Sequence, residues 1–121
     1  MSMRILAIDD TKTLLSLLCM TLRNAGHEVA SAENGEEGLT QFDAFKPDLV
    51  ITDLNMPLMD GIEFTRACRA RPAGQNTPII VLTTENGAEI KAEGRRAGAS
   101  AWMVKPFEPT TLLGLVARYQ N

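Results

Sequence analysis

The stretch PDLVITDLNMP, residues 47–57, decides the fold because it joins a continuous apolar run to a carboxylate. Residues 49–51 are apolar without interruption, Asp53 ends the run, and a turn follows directly. An uninterrupted run of this kind is typical of a strand that helices cover on both faces. The stretch RILAIDD, residues 4–10, has the same design and ends on two aspartates. We therefore expect the functional site to lie where these buried strands end.

Short apolar runs alternate with helical patterns along the whole chain, which predicts βα units and a mostly parallel sheet. The first, third and fourth runs are the most uniformly apolar and belong in the centre of the sheet, with the other two at its edges. The sequence predicts an α/β fold, a five-stranded doubly wound parallel sheet of strand order 2-1-3-4-5 with five helices. The predicted strands are residues 4–9, 28–32, 48–53, 78–83 and 101–105.

The fourth predicted helix, at about residues 87–97, is the weakest. Its apolar residues are mostly alanines, and only Ile90 among them is large. Gly94 costs this helix about 1 kcal/mol relative to alanine. We therefore expect it to be the most movable element of the fold.

Length and composition indicate one globular domain, residues 1–121. Hydrophobic residues make up 45% of the chain and charged residues 22%, as is usual for soluble domains. A net charge of −3 argues against nucleic-acid binding, and the sequence has no recognisable membrane span or signal peptide. We therefore expect a cytoplasmic protein. Cys19 and Cys68 are expected to be small buried hydrophobes, and His27, the only histidine, a surface residue that binds no metal.

Polar side chains stand at the ends of four predicted strands. In an open parallel sheet these ends share one edge, and ligands bind there where the strand order reverses. Each residue alone would more often be structural, as a turn or cap residue or a surface lysine. Their coincidence at one edge makes a site the better interpretation. The residues are Asp9, Asp10, Asp53, Thr83 and Lys105.

Three carboxylates in one cleft require a cation. Two of them about 5 Å apart repel by roughly 3 kcal/mol at an effective dielectric constant of about 20. Oxygen ligands without histidine or cysteine suit Mg²⁺, which commonly completes its shell with a phosphate oxygen. Lys105 adds a positive charge and Thr83 a hydroxyl donor, so the set describes a phosphoryl site. Because no serine, cysteine or histidine is placed there, Asp53 remains as the nucleophile and can form an acyl phosphate.

The whole chain from Arg4 onward resembles the receiver domain of two-component response regulators of the CheY type, with the flavodoxin/CheY-like fold. The resemblance rests on Asp9 and Asp10, on DLNMPLMDG at residues 53–61, on Thr83, and on KPF at residues 105–107. The bond before the proline of KPF could be cis, which would aim the lysine into the cleft. The resemblance implies that a histidine kinase phosphorylates Asp53 in a Mg²⁺-dependent reaction. It also implies a phosphoryl-accepting switch that catalyses only its own phosphorylation and dephosphorylation, and is otherwise no enzyme.

The resemblance assigns further roles to this chain's residues. Thr83 and Lys105 would bind the phosphoryl oxygens. The metal ligands would be Asp10, Asp53 and the carbonyl group of Asn55, with Asp9 acting through water. Thr83 would then move toward the phosphoryl group, an aromatic at the position of Trp102 would follow, and the surface of the fourth helix, fifth strand and fifth helix would change its partners.

Trp102 is bulkier than the tyrosine or phenylalanine more usual at this position. It is either a moving switch residue or a partly exposed edge-strand aromatic that packs on the neighbouring helices. For the fourth helix we predict that Gly94→Ala stiffens it and changes partner affinity without changing phosphorylation.

The expected output is docking on another protein, since the sequence given stops after the fifth helix. A flagellar motor switch in chemotaxis or a kinase pathway component is the expected target, and a phosphorelay intermediate or phosphate sink is the alternative. We expect a monomer, with dimerisation on phosphorylation left open.

Two other classes fit less well. A phosphatase of the haloacid-dehalogenase type also uses Mg²⁺ and a strand-end aspartate, but it needs a second aspartate where Asn55 stands. A flavodoxin needs a phosphate loop rich in serine and threonine where DDTKT, residues 9–13, brings two acids.

Overall fold

A computed structural model describes residues 2–120 as a parallel sheet with helices on both faces. The strands are β1 (Arg4–Ile8), β2 (Glu28–Ala32), β3 (Leu49–Thr52), β4 (Ile79–Thr83) and β5 (Ala101–Val104). All pairings are parallel, in the order β2-β1-β3-β4-β5, which confirms the predicted fold and strand order. The helices are α1 (Lys12–Asn24), α2 (Gly35–Phe45), α3 (Gly61–Arg69), α4 (Ala88–Ala97) and α5 (Pro109–Ala117).

Helices on both faces explain why the central strands contain uninterrupted apolar runs. On one face α1 and α5 pack against the sheet, with Leu18, Leu22 and Leu112 in that core. On the other face α2 and α3 bring Phe42 and Phe64 against the sheet. Every apolar residue of β1, β3 and β4 is at most 1% exposed. The edge strands β2 and β5 are more exposed, as their mixed sequences predict.

The start of α3 fixes the loop that follows β3. Asp60 and Glu63 form a capping box, in which the N–H of Glu63 donates to Asp60 Oδ1 at 2.8 Å and the N–H of Asp60 donates to Glu63 Oε1 at 3.0 Å. Gly61 follows, and a Cβ there would overlap the carbonyl oxygen of Asp53. Only glycine allows the helix to begin so close to the end of β3.

Helix α4 buries few of its residues and is held mainly at its C-terminal end. Only Gly94 and Ala97 of its residues are buried. Its C-terminal end is held by Arg69, whose guanidinium donates to the carbonyl of Gly98 from Nε at 3.1 Å and from Nη2 at 2.8 Å. The same side chain donates to the carbonyls of Gly74 and Thr77 at 2.6 and 2.7 Å. The sequence gives no sign of this anchor.

Both cysteines are buried, as expected, whereas the histidine is less exposed than expected. Cys19 and Cys68 are free and buried, 4% and 0% exposed. His27 is half-buried instead of lying on the surface, and its Nδ1 accepts a hydrogen bond from the N–H of Met3 at 3.1 Å. Burial lowers the pKa of His27. Within residues 2–120, no helix combines the length and apolarity that crossing a membrane requires.

Candidate functional site

Backbone hydrogen bonds hold the key side chains at one edge of the sheet. The N–H of Asp53 donates to the carbonyl of Ile8 at 2.9 Å, which extends the β1–β3 pairing by one residue. The N–H of Asp9 donates to the Ala32 carbonyl at 3.1 Å, and that of Lys105 to the Thr83 carbonyl at 2.8 Å. Each residue thus follows directly on a paired strand, so its position is set by the sheet and not by a free loop.

The structure brings the three predicted carboxylates together. Asp9, Asp10 and Asp53 each offer an oxygen atom, and these atoms lie within 4.8 Å of one another. Asp9 and Asp53 are 1% and 8% exposed, whereas Asp10 is exposed. Two buried carboxylates beside a third form a strongly negative pocket that a hard cation would relieve.

Lys105 joins two of these carboxylates. Its Nζ lies 2.8 Å from Asp9 Oδ2 and 3.3 Å from Asp53 Oδ2, and its side chain is 11% exposed. The Lys105–Pro106 peptide bond is cis. A single ammonium group cannot balance three carboxylates, so the pocket keeps excess negative charge for a second cation.

Asp53 has an unusual environment for an aspartate. Burial raises the pKa of its carboxyl group, and the charge of Asp9 raises it further, while Lys105 and the backbone N–H of Leu54 act in the opposite direction. The Leu54 N–H donates to Oδ1 at 2.7 Å. Oδ1 is therefore held by the backbone, while Oδ2 faces the ammonium group of Lys105.

Thr83 ends the neighbouring strand and is linked to Trp102 through one residue. Thr83 is 1% exposed, and its Oγ1 accepts a hydrogen bond from the N–H of Glu85 at 3.3 Å. The carbonyl of Glu85 accepts a hydrogen bond from Trp102 Nε1 at 2.9 Å. Trp102 therefore lies outside the carboxylate cluster and is half-buried against a small apolar cluster that includes residues of α3 and α4.

Asn55 is exposed, two residues after Asp53 in the loop between β3 and α3. Sequence reasoning missed two contributors to the site, the N–H of Leu54 and both backbone groups of Glu85. No side-chain signal could have found them, because nearly every residue carries the same backbone groups.

Known proteins resemble this chain over nearly its whole length. The family model of the response regulator receiver domain matches residues 5–117. The structure of CheY4, a chemotaxis response regulator of Vibrio cholerae, is 41% identical, covers 98% of this chain and 99% of its own, and has a TM-score of 0.93. Protein PilH of Pseudomonas aeruginosa is 36% identical over 110 residues, 91% of each chain.

A third similar protein bears on the metal. It is the receiver domain of the sensor histidine kinase PA1611 of Pseudomonas aeruginosa PAO1, whose crystal structure has a magnesium ion coordinated in the active-site cleft. It is 25% identical, with a TM-score of 0.90 and 98% of each chain covered. The chain spans about half the length of several curated relatives that are transcriptional regulatory proteins.

Proposed function

The chain belongs to the response regulator receiver domain family, and from that premise we propose that it is a two-component signalling switch phosphorylated on Asp53. Receiver domains take their phosphoryl group from histidine kinases and act on downstream targets. The observation that carries the assignment is the Lys105 ammonium between Asp9 and Asp53, in a pocket where three carboxylates converge.

The donor set fits Mg²⁺. Carboxylate oxygens within 4.8 Å of one another, without a nitrogen or sulfur ligand, match the preference of a hard cation. Bound magnesium would offset the repulsion among the carboxylates and neutralise charge on the transferred phosphoryl group. The proposed ligands are Asp10, Asp53 and the Asn55 carbonyl, with Asp9 acting through water.

Asp53 is the proposed nucleophile. Oδ1 is fixed by the Leu54 N–H, so the attacking atom is Oδ2. An O–P bond forms at Oδ2 while the P–N bond of the kinase phosphohistidine breaks and its electron pair stays with the imidazole nitrogen. The product is an acyl phosphate on Asp53.

Lys105 and Thr83 receive the transferred phosphoryl oxygens. Phosphorylation adds nearly two negative charges, and the ammonium group already lies 3.3 Å from Asp53 Oδ2. The Thr83 hydroxyl supplies a further donor, and turning toward the phosphoryl group draws it away from the Glu85 N–H. The new charge is thereby converted into a movement of the loop between β4 and α4.

The proposed output is a change of protein partner at the surface formed by α4, β5 and α5. Similarity to the chemotaxis response regulator CheY4 supports a chemotaxis role. The proposed target is a flagellar motor switch, and the proposed location is the cytoplasm.

Intact-mass spectrometry after incubation with acetyl phosphate tests the proposal. We expect one phosphoryl group on the parent protein with Mg²⁺ and none with a chelator. Asp53→Asn should gain none, whereas the control Asp43→Asn, at an exposed aspartate of α2, should match the parent. Equal phosphorylation of Asp53→Asn and the parent would refute the site assignment.

A further inference from the structure

The indole ring of Trp102 occupies the space that a side chain at position 94 would fill. A Cβ built on Gly94 would lie 2.7 Å from Cζ3 of Trp102 and 3.3 Å from Cε3. Real Cβ atoms do not approach an aromatic ring that closely, so alanine at 94 and the present ring position exclude each other. The missing side chain of Gly94 thus leaves a gap in the surface of α4, here called the notch, which the Trp102 ring fills. Gly94 therefore affects ring position as well as helix propensity.

The notch determines where the polar edge of the indole lies. With the ring against Gly94, Nε1 donates to the Glu85 carbonyl at 2.9 Å. Trp102 also packs against the apolar cluster that contains Val81, its pairing partner on β4, and Ala97 of α4. The same Glu85 donates its N–H to the Thr83 hydroxyl. Glu85 therefore connects the indole of Trp102 to the Thr83 hydroxyl at the end of β4, the proposed donor to the phosphoryl group.

We propose that Gly94 is a positioning residue of the switch, whose missing side chain seats Trp102 so that the indole clamps the loop carrying Glu85. The inference rests on the proposed function, because the Thr83 hydroxyl matters only if it binds the phosphoryl group. When Thr83 turns toward the phosphoryl group, it releases the Glu85 N–H, and the loop and the indole clamped to it rearrange together. A variant without the notch keeps its carboxylates and Lys105, so it accepts phosphate but does not transmit the change to Trp102.

Urea unfolding of paired variants tests the notch without any phosphorylation. Trp102→Leu removes the ring atoms that meet position 94. Gly94→Ala should lower the unfolding midpoint when Trp102 is present and raise it in the Trp102→Leu background, where only the gain in helix propensity remains. Gly114→Ala on α5 is the matched control, since nothing lies within 4 Å of a Cβ there, and it should raise the midpoint in both backgrounds. Equal shifts of the unfolding midpoint by Gly94→Ala in both backgrounds would contradict the proposed role of the notch. If Gly94→Ala alone fails to fold and the variant that also carries Trp102→Leu folds, the role is supported.

Fluorescence of Trp102, the only tryptophan, tests the coupling. Without phosphate donor, the emission of Gly94→Ala should be red-shifted from the parent and more readily quenched by acrylamide. With acetyl phosphate and Mg²⁺, the parent emission should change, whereas Gly94→Ala should gain the same mass with a smaller emission change. A phosphorylated parent with unchanged emission, or an equal change in both proteins, would overturn the coupling. A parent that gains no mass contradicts the proposed function instead, and the unfolding comparison still decides the notch.

Discussion

The Nζ of Lys105 lies 2.8 Å from Oδ2 of Asp9, a residue 96 positions away in the sequence. This contact joins the end of an edge strand to the end of a central strand, across the intervening β3 and β4. Both side chains are nearly buried, 11% and 2% exposed, so solvent screens their attraction little. The same ammonium group must compete with any cation for these carboxylates.

Replacing Lys105 should therefore increase the affinity for Mg²⁺. Lys105→Met leaves Asp9 and Asp53 without their ammonium partner, which should lower the free energy of unfolding by about 3 kcal/mol in the presence of a chelator. Mg²⁺ should restore part of that loss. Titration calorimetry with Mg²⁺ and urea unfolding measure the two effects, with Lys91→Met on α4 as control. Weaker Mg²⁺ binding by Lys105→Met than by the parent would show that the lysine does not compete with the metal.

Loss of a carboxylate should lower the affinity for Mg²⁺, whereas loss of the Lys105 ammonium should raise it. Asp10→Asn removes the exposed member of the cluster and should weaken Mg²⁺ binding by at least about tenfold, the lower end of what loss of an outer-shell partner costs at metal sites. The fold should be unaffected, because Asp10 is exposed. Calorimetry on Asp10→Asn and on the control Asp43→Asn measures the difference. Unchanged affinity in Asp10→Asn would remove this residue from the ligand set.

Arg69 should contribute far more to stability than Arg66, the other arginine of α3 that precedes it by three residues. Arg69→Met removes the donors to the carbonyls of Gly98, Gly74 and Thr77 and should lower the free energy of unfolding by about 2–3 kcal/mol. Arg66→Met, on the exposed side of the same helix, should change it by less than about 0.5 kcal/mol. Urea unfolding of both variants provides the comparison. Similar losses in the two would mean that the carbonyl bonds contribute little.

The single histidine should make stability fall on mild acidification. Burial places the pKa of His27 below its ordinary value, so the folded protein binds the proton less readily than the unfolded chain does. Its contribution to stability is present above the unfolded pKa of about 6.5 and is lost as pH falls through the folded pKa. His27→Gln should flatten the dependence of unfolding free energy on pH in this window. An unchanged slope in the variant would contradict the role given to His27.

The thiols should be inert in the native protein. Burial raises the pKa of Cys68 to about 12 and also raises that of Cys19. Iodoacetamide at mildly alkaline pH should leave both unmodified, and urea should expose both to reaction. Mass spectrometry counts the added groups. Rapid alkylation of either thiol in the folded protein would contradict its burial.

The strands and their order could be predicted because each depends on local pattern. Uninterrupted apolar runs identify strands covered on both faces, and less uniform runs such as residues 28–32 identify edges. The site followed from the same reasoning, since the ends of parallel strands share an edge. Asp9, Asp10, Asp53 and Lys105 do lie together.

Features that depend on tertiary packing could not be predicted in this way. The sequence explains Gly94 only as a poor helix former, because the Trp102 ring that fills its place is brought there by the pairing of β4 and β5. Nothing in the sequence distinguishes Arg69 from other helix arginines, but in the structure it donates to backbone carbonyls on separate segments. Such contacts become visible only when the chain is folded.

The most direct test of the account is to identify which residue carries the phosphoryl group. Borohydride reduces an aspartyl phosphate to homoserine, which peptide sequencing by mass spectrometry locates. After treatment with acetyl phosphate and Mg²⁺, the account predicts homoserine at position 53 and none when the metal is chelated. Homoserine at position 9 or 10 instead of 53, or in equal amount without the metal, would contradict it.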